Sequence, residues 1–205
     1  DVALVFFGDG ATSSNDFHAA LNFAGVWRAP VVFACRNNGY AISLPSSKQT
    51  ASDGFACKAA AYGIRGEKVD GNDVLAVYRA TRDALEAAAR GDGPTLLELV
   101  TYRLDAHSSS DDPRFYRSDE EVAAAAAHEP IARMKRELVD AGDLDDAADA
   151  ALREAVEAEI ADALRVAQAR PKPALDTLHK DVYADTPWHL RTTAEAERGG
   201  TTSWK

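Results

Sequence analysis

The sequence has few cysteines, no long apolar run and no excess of positive charge. Its two cysteines, Cys35 and Cys57, form neither a CxxC pair nor a disulfide framework, which is typical of a reducing compartment, and we expect both to be buried. No apolar stretch approaches the ~20 residues of a membrane span, so we expect no membrane association. The net charge is −10, with 23 Lys and Arg against 33 Asp and Glu. No basic stripe is present, and we therefore expect no nucleic-acid partner.

Three apolar segments predict the strands of a parallel sheet. They are DVALVFFG from Asp1, PVVFACRNN from Pro30 and TLLELVTYR from Thr95. The first is expected to be buried on both faces, and a further brief strand is expected at 68–69. Helical segments separate these strands, and the alternation predicts an α/β protein with a parallel doubly wound sheet. Ligands of such sheets bind beyond the carboxyl ends of the strands.

Capping residues and periodicity place two helices between the strands. The polar run at 13–16 can cap a helix that carries Phe17, Leu21 and Trp27. The DGND segment at 70–73 supplies a cap for a longer helix that ends near Gly91. The apolar stripe of this second helix is expected to comprise Val74, Tyr78, Thr81, Leu85 and Ala88.

The composition changes at Ser118, where SDEE is a capping box followed by alanine-rich helices. We expect one helix from Pro130 to Gly142, then a long one carrying Leu152, Val156, Ile160 and Leu164, and after Arg170 an extended segment with a frayed end. The predicted division is therefore 1–117 for the sheet domain and 118–205 for a helical extension. Because the chain opens directly into a strand at Asp1, we expect it to be a carboxyl-terminal fragment of a longer subunit with a sheet incomplete at its N-terminus.

Asp9 and Asn38 each follow a predicted strand, and we expect them to converge at one edge of the sheet. A carboxylate and an amide oxygen suit Mg²⁺, which keeps water and phosphate oxygens in the rest of its shell. Gly8 and Gly10 let the backbone approach closely, and the N–H groups of Gly10 and Ala11 are expected to face an anion. The sequence thus predicts a magnesium and diphosphate site, to which Arg36 adds positive charge.

Other interpretations of these residues stay open at this point. Asp9 alone is better read as a helix cap, and Asn37 with Gly39 is a turn signal. A dinucleotide-binding GxGxxG starting at Gly8 would need a glycine at Ser13, and no GxxxxGK[ST] phosphate loop is present. The competing hypothesis from another class is a non-catalytic assembly subunit whose helical tail packs against a partner.

Several longer motifs carry a family resemblance. GDG at 8–10 with NN at 37–38 resembles the thiamine-diphosphate fingerprint of 2-oxo acid dehydrogenases. CRNNGYAIS, VDGNDV, TYR and HSSSDDPRFYRSDEEV are similar to the alpha subunit of the branched-chain 2-oxo acid dehydrogenase decarboxylating component, over residues 1 to about 190. The fold implied is the thiamine-diphosphate-binding α/β domain. A pyruvate or acetoin dehydrogenase alpha subunit is the alternative.

The resemblance implies roles for individual residues. Asp9 and Asn38 would bind Mg²⁺ through side chains and Tyr40 through its carbonyl, while His107 would reach the phosphate end of the cofactor and assist acyl transfer. Relatives often have His or Pro before that histidine, whereas this chain has DA at 105–106, which adds a negative charge near an anionic cofactor. The residues implied to bind the cofactor are Gly8, Asp9, Gly10, Ala11, Arg36, Asn38, Tyr40 and His107, and those implied to order the loop are Arg103, Asp111, Tyr116 and Arg117.

The resemblance also implies what this chain needs from elsewhere. The family takes the glutamate that activates thiamine diphosphate from a beta subunit, in an assembly of two alpha and two beta chains. An upstream arginine and a potassium site would precede Asp1, so this chain alone is expected to be inactive. The acyl group would pass to a lipoyl-bearing acyltransferase core. The location implied is the cytoplasm of a bacterium or the mitochondrial matrix of a eukaryote.

Overall fold

A four-stranded parallel sheet forms the centre of the computed structural model, which describes residues 1–174, 177–180 and 182–198. The spatial order of its strands is β1-β2-β6-β5. With the helices on its two faces, the sheet confirms the predicted α/β class. The strands are β1 (Ala3–Gly8), β2 (Val31–Asn37), β5 (Arg65–Asp70) and β6 (Thr95–Val100), and a separate hairpin is formed by β3 (Tyr40–Ala41) and β4 (Leu44–Pro45).

Each face of the sheet carries its own apolar core. On one face, α1 (Asn15–Trp27) and the 3-10 helix Ala56–Tyr62 pack around Phe33 and Leu96. The other face buries Val32 and Leu97 with residues of α2 (Val74–Ala89). Because β2 and β6 are central and covered on both sides, nearly all of their side chains are buried.

The starts and ends of the first helices agree with the sequence signals. Ser14 accepts from the N–H of Phe17 (3.3 Å) at the start of α1, and Asp73 accepts from Ala76 (2.8 Å) at the start of α2. Gly91, with φ +86°, follows the end of α2. The helix starts could be predicted from the sequence because each cap bonds to a residue only three positions away.

Three expectations about burial are met only in part or not at all in this chain. Within this chain β1 has one neighbouring strand and Phe6 is 60% exposed, whereas burial on both faces is expected together with further strands of a longer subunit. In α2 the expected stripe is right for Ala88, which is buried, and for Leu85, which packs against the core, but Ala80 and Ala84 are the other buried positions and Tyr78 is 63% exposed. Cys57 is exposed, and only Cys35 is buried.

The described chain divides into two compact units, 1–145 and 146–205. The first contains the sheet together with α3 (Asp119–Ala126) and α4 (Pro130–Ala141), and the predicted division at residue 118 stays a prediction. The second contains α5 (Asp146–Gln168), α6 (Thr177–Lys180) and α7 (Trp188–Arg198). Its helical end differs from the expected extended tail, of which 175–176, 181 and 199–205 lie outside the described residues. Within the described ranges, no helix is both long and apolar enough to cross a bilayer.

Candidate functional site

Asp9 lies immediately beyond the carboxyl end of β1, as the sequence predicts. The parallel register pairs Gly8 with Arg36, which brings the residues after β1 beside those after β2. Asp9 opens a 3-10 helix (Asp9–Ser13) and is only 1% exposed. Its carbonyl accepts a hydrogen bond from Thr12 Oγ1 (2.7 Å). No ion pair to its carboxylate occurs among the residues that the structure describes, so the charge is buried without a cationic partner from this part of the chain.

Gly10 is required by a close approach of two segments. A Cβ at this position would lie 2.9 Å from Ala41 Cβ, closer than real Cβ atoms come. The segment after β1 therefore packs directly against β3, which begins at Tyr40. Glycine at position 10 is the residue that lets the Asp9 segment and the turn after β2 meet.

The turn after β2 is held by its own side chains and by the segment that follows β6. Asn38 Oδ1 accepts from the N–H of Tyr40 (3.1 Å), and the N–H of Arg103 donates to the Asn38 carbonyl (3.2 Å). The carbonyl of Tyr40 accepts a long bond from Arg103 Nη1 (3.4 Å). Both predicted metal-binding groups of this turn thus belong to one hydrogen-bonded unit.

The other predicted cofactor-binding residues make no side-chain hydrogen bond to this turn among the described residues. Arg36 and Ala11 are exposed, and Gly8 has open space around the position of a Cβ. His107 is exposed as well, and its N–H donates to Asp111 Oδ2 (2.8 Å). In the described ranges no hydrogen bond joins His107 to Asp9 or Asn38.

The four residues expected to order the loop after β6 do lie in one network. Tyr116 donates its hydroxyl proton to Asp111 Oδ2 (2.6 Å) and accepts from Arg103 Nη2 (2.9 Å). The hydrogen bonds from Tyr116 and from the N–H of His107 lower the pKa of Asp111, while burial and the bond to Asp111 raise the pKa of Tyr116. Arg117 donates to the carbonyls of residues 103, 104 and 105 and closes the start of the loop.

A buried glutamate that sequence reasoning missed supports the turn from behind. Glu98, fully buried on β6, accepts from Asn37 Nδ2 and from the N–H groups of Phe55 and Ala56, each at 2.8 Å. Asn37 Oδ1 in turn accepts from the N–H of Gly39 (3.1 Å). Asn37 is thus more than a turn residue. The signal was an acidic residue inside the apolar TLLELV strand, since a buried charge needs hydrogen-bond partners.

Glu121 and Gln49 make two further side-chain contacts that sequence reasoning missed, although Glu121 is the last residue of the SDEE capping box. Glu121 Oε1, on α3, accepts from the hydroxyls of Tyr40 (2.7 Å) and Tyr102 (2.8 Å). Burial, followed by this bond, raises the pKa of Tyr40 to about 12, so its hydroxyl stays a donor at neutral pH. Gln49 Nε2 donates to Asp9 Oδ2 (2.6 Å).

The oxygen atoms that could bind a metal at this site suit a hard cation better than a soft one. Within 1–174, 177–180 and 182–198, no group of three or more His, Cys, Asp or Glu side chains is arranged to hold a metal. Asp9, the Asn38 amide and the Tyr40 carbonyl offer oxygen only. Mg²⁺ binds through one or two carboxylates and fills its shell with water and phosphate oxygens, so a small oxygen set fits it.

The fold is that of doubly wound α/β proteins, a class in which ligands bind at the carboxyl edge of the parallel sheet. The chain belongs to the Dehydrogenase E1 component family, whose sequence profile matches residues 1–176.

Curated relatives support this membership. The chain is 47% identical over 190 residues to the 2-oxoisovalerate dehydrogenase subunit alpha 2, mitochondrial, of Arabidopsis thaliana. The aligned region covers 92% of this chain and 40% of that relative. It is 42% identical over 196 residues to the human 2-oxoisovalerate dehydrogenase subunit alpha, mitochondrial, covering 95% and 44%. The Caenorhabditis elegans subunit is 43% identical over 191 residues, with 93% and 44% covered. The chain thus spans about two fifths of the length of these relatives.

Proposed function

We propose that this chain is part of the alpha subunit of a branched-chain 2-oxo acid dehydrogenase decarboxylating component. The observation that carries the proposal is the buried carboxylate of Asp9, which lies beside the Asn38 turn and has no cationic partner among the described residues, in a chain of the E1 family. The names of the relatives favour 2-oxoisovalerate, a branched-chain 2-oxo acid, as the substrate class. Pyruvate or acetoin is the alternative substrate.

Asp9, the Asn38 side chain and the Tyr40 carbonyl would hold Mg²⁺, and the N–H groups of Gly10 and Ala11 with Arg36 would hold a diphosphate. Two features of the residues support this fit. The buried Asp9 carboxylate has no cationic partner in the described ranges, and a divalent ion would neutralise it. Gly10, where a Cβ would clash with Ala41, lets the segment after β1 approach the turn after β2, so that the proposed ligands of both segments can meet.

Thiamine diphosphate, once bound, supplies the carbanion chemistry by which a 2-oxo acid loses carbon dioxide. This chain's contribution is to bind and orient. His107, exposed on a loop held by Asp111 and Tyr116, would contact the phosphate end and assist the passage of the acyl group to a lipoyl arm. Arg103 and Arg117 would order that loop.

The proposed partners are a beta subunit, which would supply the carboxylate that activates the cofactor, and a lipoyl-bearing acyltransferase core. An arrangement of two alpha and two beta chains is proposed from the family. The relatives are named as mitochondrial proteins, so the matrix is the proposed location if the source is a eukaryote, and the cytoplasm if it is a bacterium.

The test uses the full-length gene product co-expressed with its beta partner. Turnover of 3-methyl-2-oxobutanoate with an artificial electron acceptor is measured with and without thiamine diphosphate and Mg²⁺. We expect turnover to require both, to vanish in Asp9→Ala and to persist in Asp83→Ala, an exposed aspartate of α2. A pyruvate arm compares the substrate classes.

Two results would decide against the proposal. If a well-formed complex shows no cofactor-dependent turnover, the chain is an assembly subunit and Asp9 is only a helix cap. If Asp9→Ala and Asp83→Ala behave alike, the metal site is wrong. Faster turnover of pyruvate than of the branched-chain acid would reassign the substrate and leave the site intact.

A further inference from the structure

Gln49 is not among the proposed ligands of the cofactor site, but its side chain contacts that of Asp9. It follows the short 3-10 turn Ser46–Lys48, and its Nε2 donates to Asp9 Oδ2 (2.6 Å) and to the Leu44 carbonyl (3.2 Å). Its Oε1 is buried and has no hydrogen-bond partner among the described residues. Buried polar atoms without partners are rare, so this oxygen calls for an explanation.

The orientation of the Gln49 amide is settled by its partners. A carboxylate oxygen and a carbonyl oxygen can only accept, so the nitrogen of the amide must face both Asp9 and Leu44. The amide cannot turn over without losing both bonds. Its oxygen is therefore held on the other side, where a donor is missing.

The bond from Gln49 also distinguishes the two oxygens of Asp9. Oδ2 is occupied by Nε2, whereas Oδ1 accepts no hydrogen bond within the described ranges. A carboxylate held in this way presents a single oxygen to a cation. Mg²⁺ demands near-ideal octahedral geometry, so fixing which oxygen binds, and at what angle, lowers the cost of forming the site.

The segment that carries Gln49 is itself joined to the Asn38 turn. The N–H of Gln49 donates to the Ser46 carbonyl (3.0 Å), and the N–H of Ser46 donates to the Gly39 carbonyl (2.8 Å). Gln49 therefore links the proposed ligand after β1 to the turn after β2.

We propose that Gln49 is a positioning residue of the metal site, which orients Asp9 as a one-oxygen ligand for a divalent cation. The inference rests on the proposed function, since it assumes that Asp9 binds the cation. The unpaired Oε1 fits this assignment, because the amide keeps its orientation toward Asp9 although its own oxygen gains no partner among the described residues. Gln49 itself contacts neither substrate nor cofactor in this assignment.

The experiment measures metal affinity directly. Mn²⁺, a paramagnetic substitute for Mg²⁺, is titrated into the full-length gene product in complex with its beta partner, and bound metal is followed by electron paramagnetic resonance with thiamine diphosphate present. Gln49→Met keeps the length of the side chain and removes both hydrogen bonds. Outer-shell partners of metal ligands typically contribute 10–100-fold in affinity, so we expect the dissociation constant for Mn²⁺ to rise by ~10-fold.

The matched control is Lys48→Met, an exposed neighbour in the same loop, which should leave the constant unchanged. At saturating metal the affinity of Gln49→Met for thiamine diphosphate should return to that of the unsubstituted complex, whereas general damage to the loop would weaken it at every metal concentration. Such uniform weakening would overturn the inference, as would equal Mn²⁺ affinities for Gln49→Met and Lys48→Met.

Failure of the inference and failure of the proposed function give different results. If the unsubstituted complex binds Mn²⁺ with thiamine diphosphate and Asp9→Asn does not, the proposed metal site stands, and Gln49 is judged by its own variant. If neither the unsubstituted complex nor any variant binds Mn²⁺, the proposed function fails, and the inference about Gln49 falls with it.

Discussion

The buried pair of Glu98 and Asn37 predicts that two substitutions will each loosen the loop at 54–56 and that together they will compensate. Glu98 accepts from Asn37 Nδ2 and from two backbone N–H groups, and Asn37 Oδ1 accepts from the N–H of Gly39. Every donor in this chain of bonds has an acceptor. Glu98→Gln introduces a second NH₂ group, which must face either the Asn37 amide nitrogen or the N–H groups of Phe55 and Ala56. Two donors then face each other. Turning over the amide of residue 37 or of residue 98 only moves this donor–donor contact to another place.

The magnitude follows from the bonds that change. A buried donor left without an acceptor costs ~1–3 kcal/mol, and the two backbone bonds lose the ~1 kcal/mol each that a charged acceptor adds. The neutral amide avoids the cost of burying a charge, which offsets part of this loss. We expect a net effect of ~2 kcal/mol, which corresponds to ~30-fold faster hydrogen exchange of the N–H groups of Phe55 and Ala56 if exchange proceeds by local opening.

The second substitution reverses the polarity of the pair. Asn37→Asp alone sets two buried carboxylates against each other and should raise exchange by a similar factor. In the double variant the new amide at position 98 donates to the new carboxylate at position 37, which still accepts from Gly39. We therefore expect the double variant to exchange more slowly than either single variant, with a coupling of ~1–3 kcal/mol.

The assay is hydrogen exchange followed by mass spectrometry on a peptide that covers 54–57, in the complex of the full-length gene product with its partner. Glu86→Gln, an exposed substitution on α2, is the matched control and should exchange like the unsubstituted protein. If the logarithms of the two single effects simply add in the double variant, the pairing of Glu98 with Asn37 does not hold the loop, and the reasoning is refuted.

Three further outcomes follow from the described contacts. An aromatic disulfide reagent at pH 8 should label Cys57 and not Cys35. Burial raises the pKa of Cys35 to about 12, so only ~10⁻⁴ of this thiol is ionised at pH 8. Labelling of both cysteines would contradict the burial of Cys35. Tyr116→Phe removes a donor to Asp111 and should speed proteolytic cleavage within 104–112 several-fold, a result refuted by an unchanged cleavage pattern. The pKa of Asp111 lies below its usual 3.8. The Asp111 carboxylate therefore contributes fully to loop order above pH 3.8, and this contribution is lost as the pH falls through the lowered pKa. In an acid protease assay, cleavage of the loop near pH 3 should exceed cleavage at pH 5.

Local patterns in the sequence were sufficient for Asp9, Asn38 and the helix caps. Each depends on a strand end or on a residue three positions away, and the structure has them at those places. The supporting residues depend instead on distant contacts, since Gln49 lies 40 positions from Asp9 and Glu98 lies 61 from Asn37. No local pattern reports such a pairing, and this is why sequence reasoning found the proposed ligands but missed the residues that hold them.

Burial was predicted less well than secondary structure for a related reason. The composition of β1 is that of a central strand, but its burial depends on how many strands flank it, and the structure gives it one neighbour. In α2 the predicted stripe combined larger side chains such as Tyr78 with Ala88, and Ala88 is buried as predicted. The other buried positions are alanines too, because close contact with the sheet favours small side chains over large ones such as Tyr78.

Arg103 joins the two halves of the proposed site. Its N–H donates to the Asn38 carbonyl, its guanidinium reaches the carbonyl of Tyr40, and a third bond goes to the hydroxyl of Tyr116 in the loop. The turn that offers metal-binding oxygens and the loop that carries His107 are therefore held by one side chain. Because a planar guanidinium serves several acceptors at fixed angles and an ammonium does not, arginine is the residue type that this junction requires. The loop and the turn consequently share one set of hydrogen bonds, and replacing Arg103 would remove contacts from both.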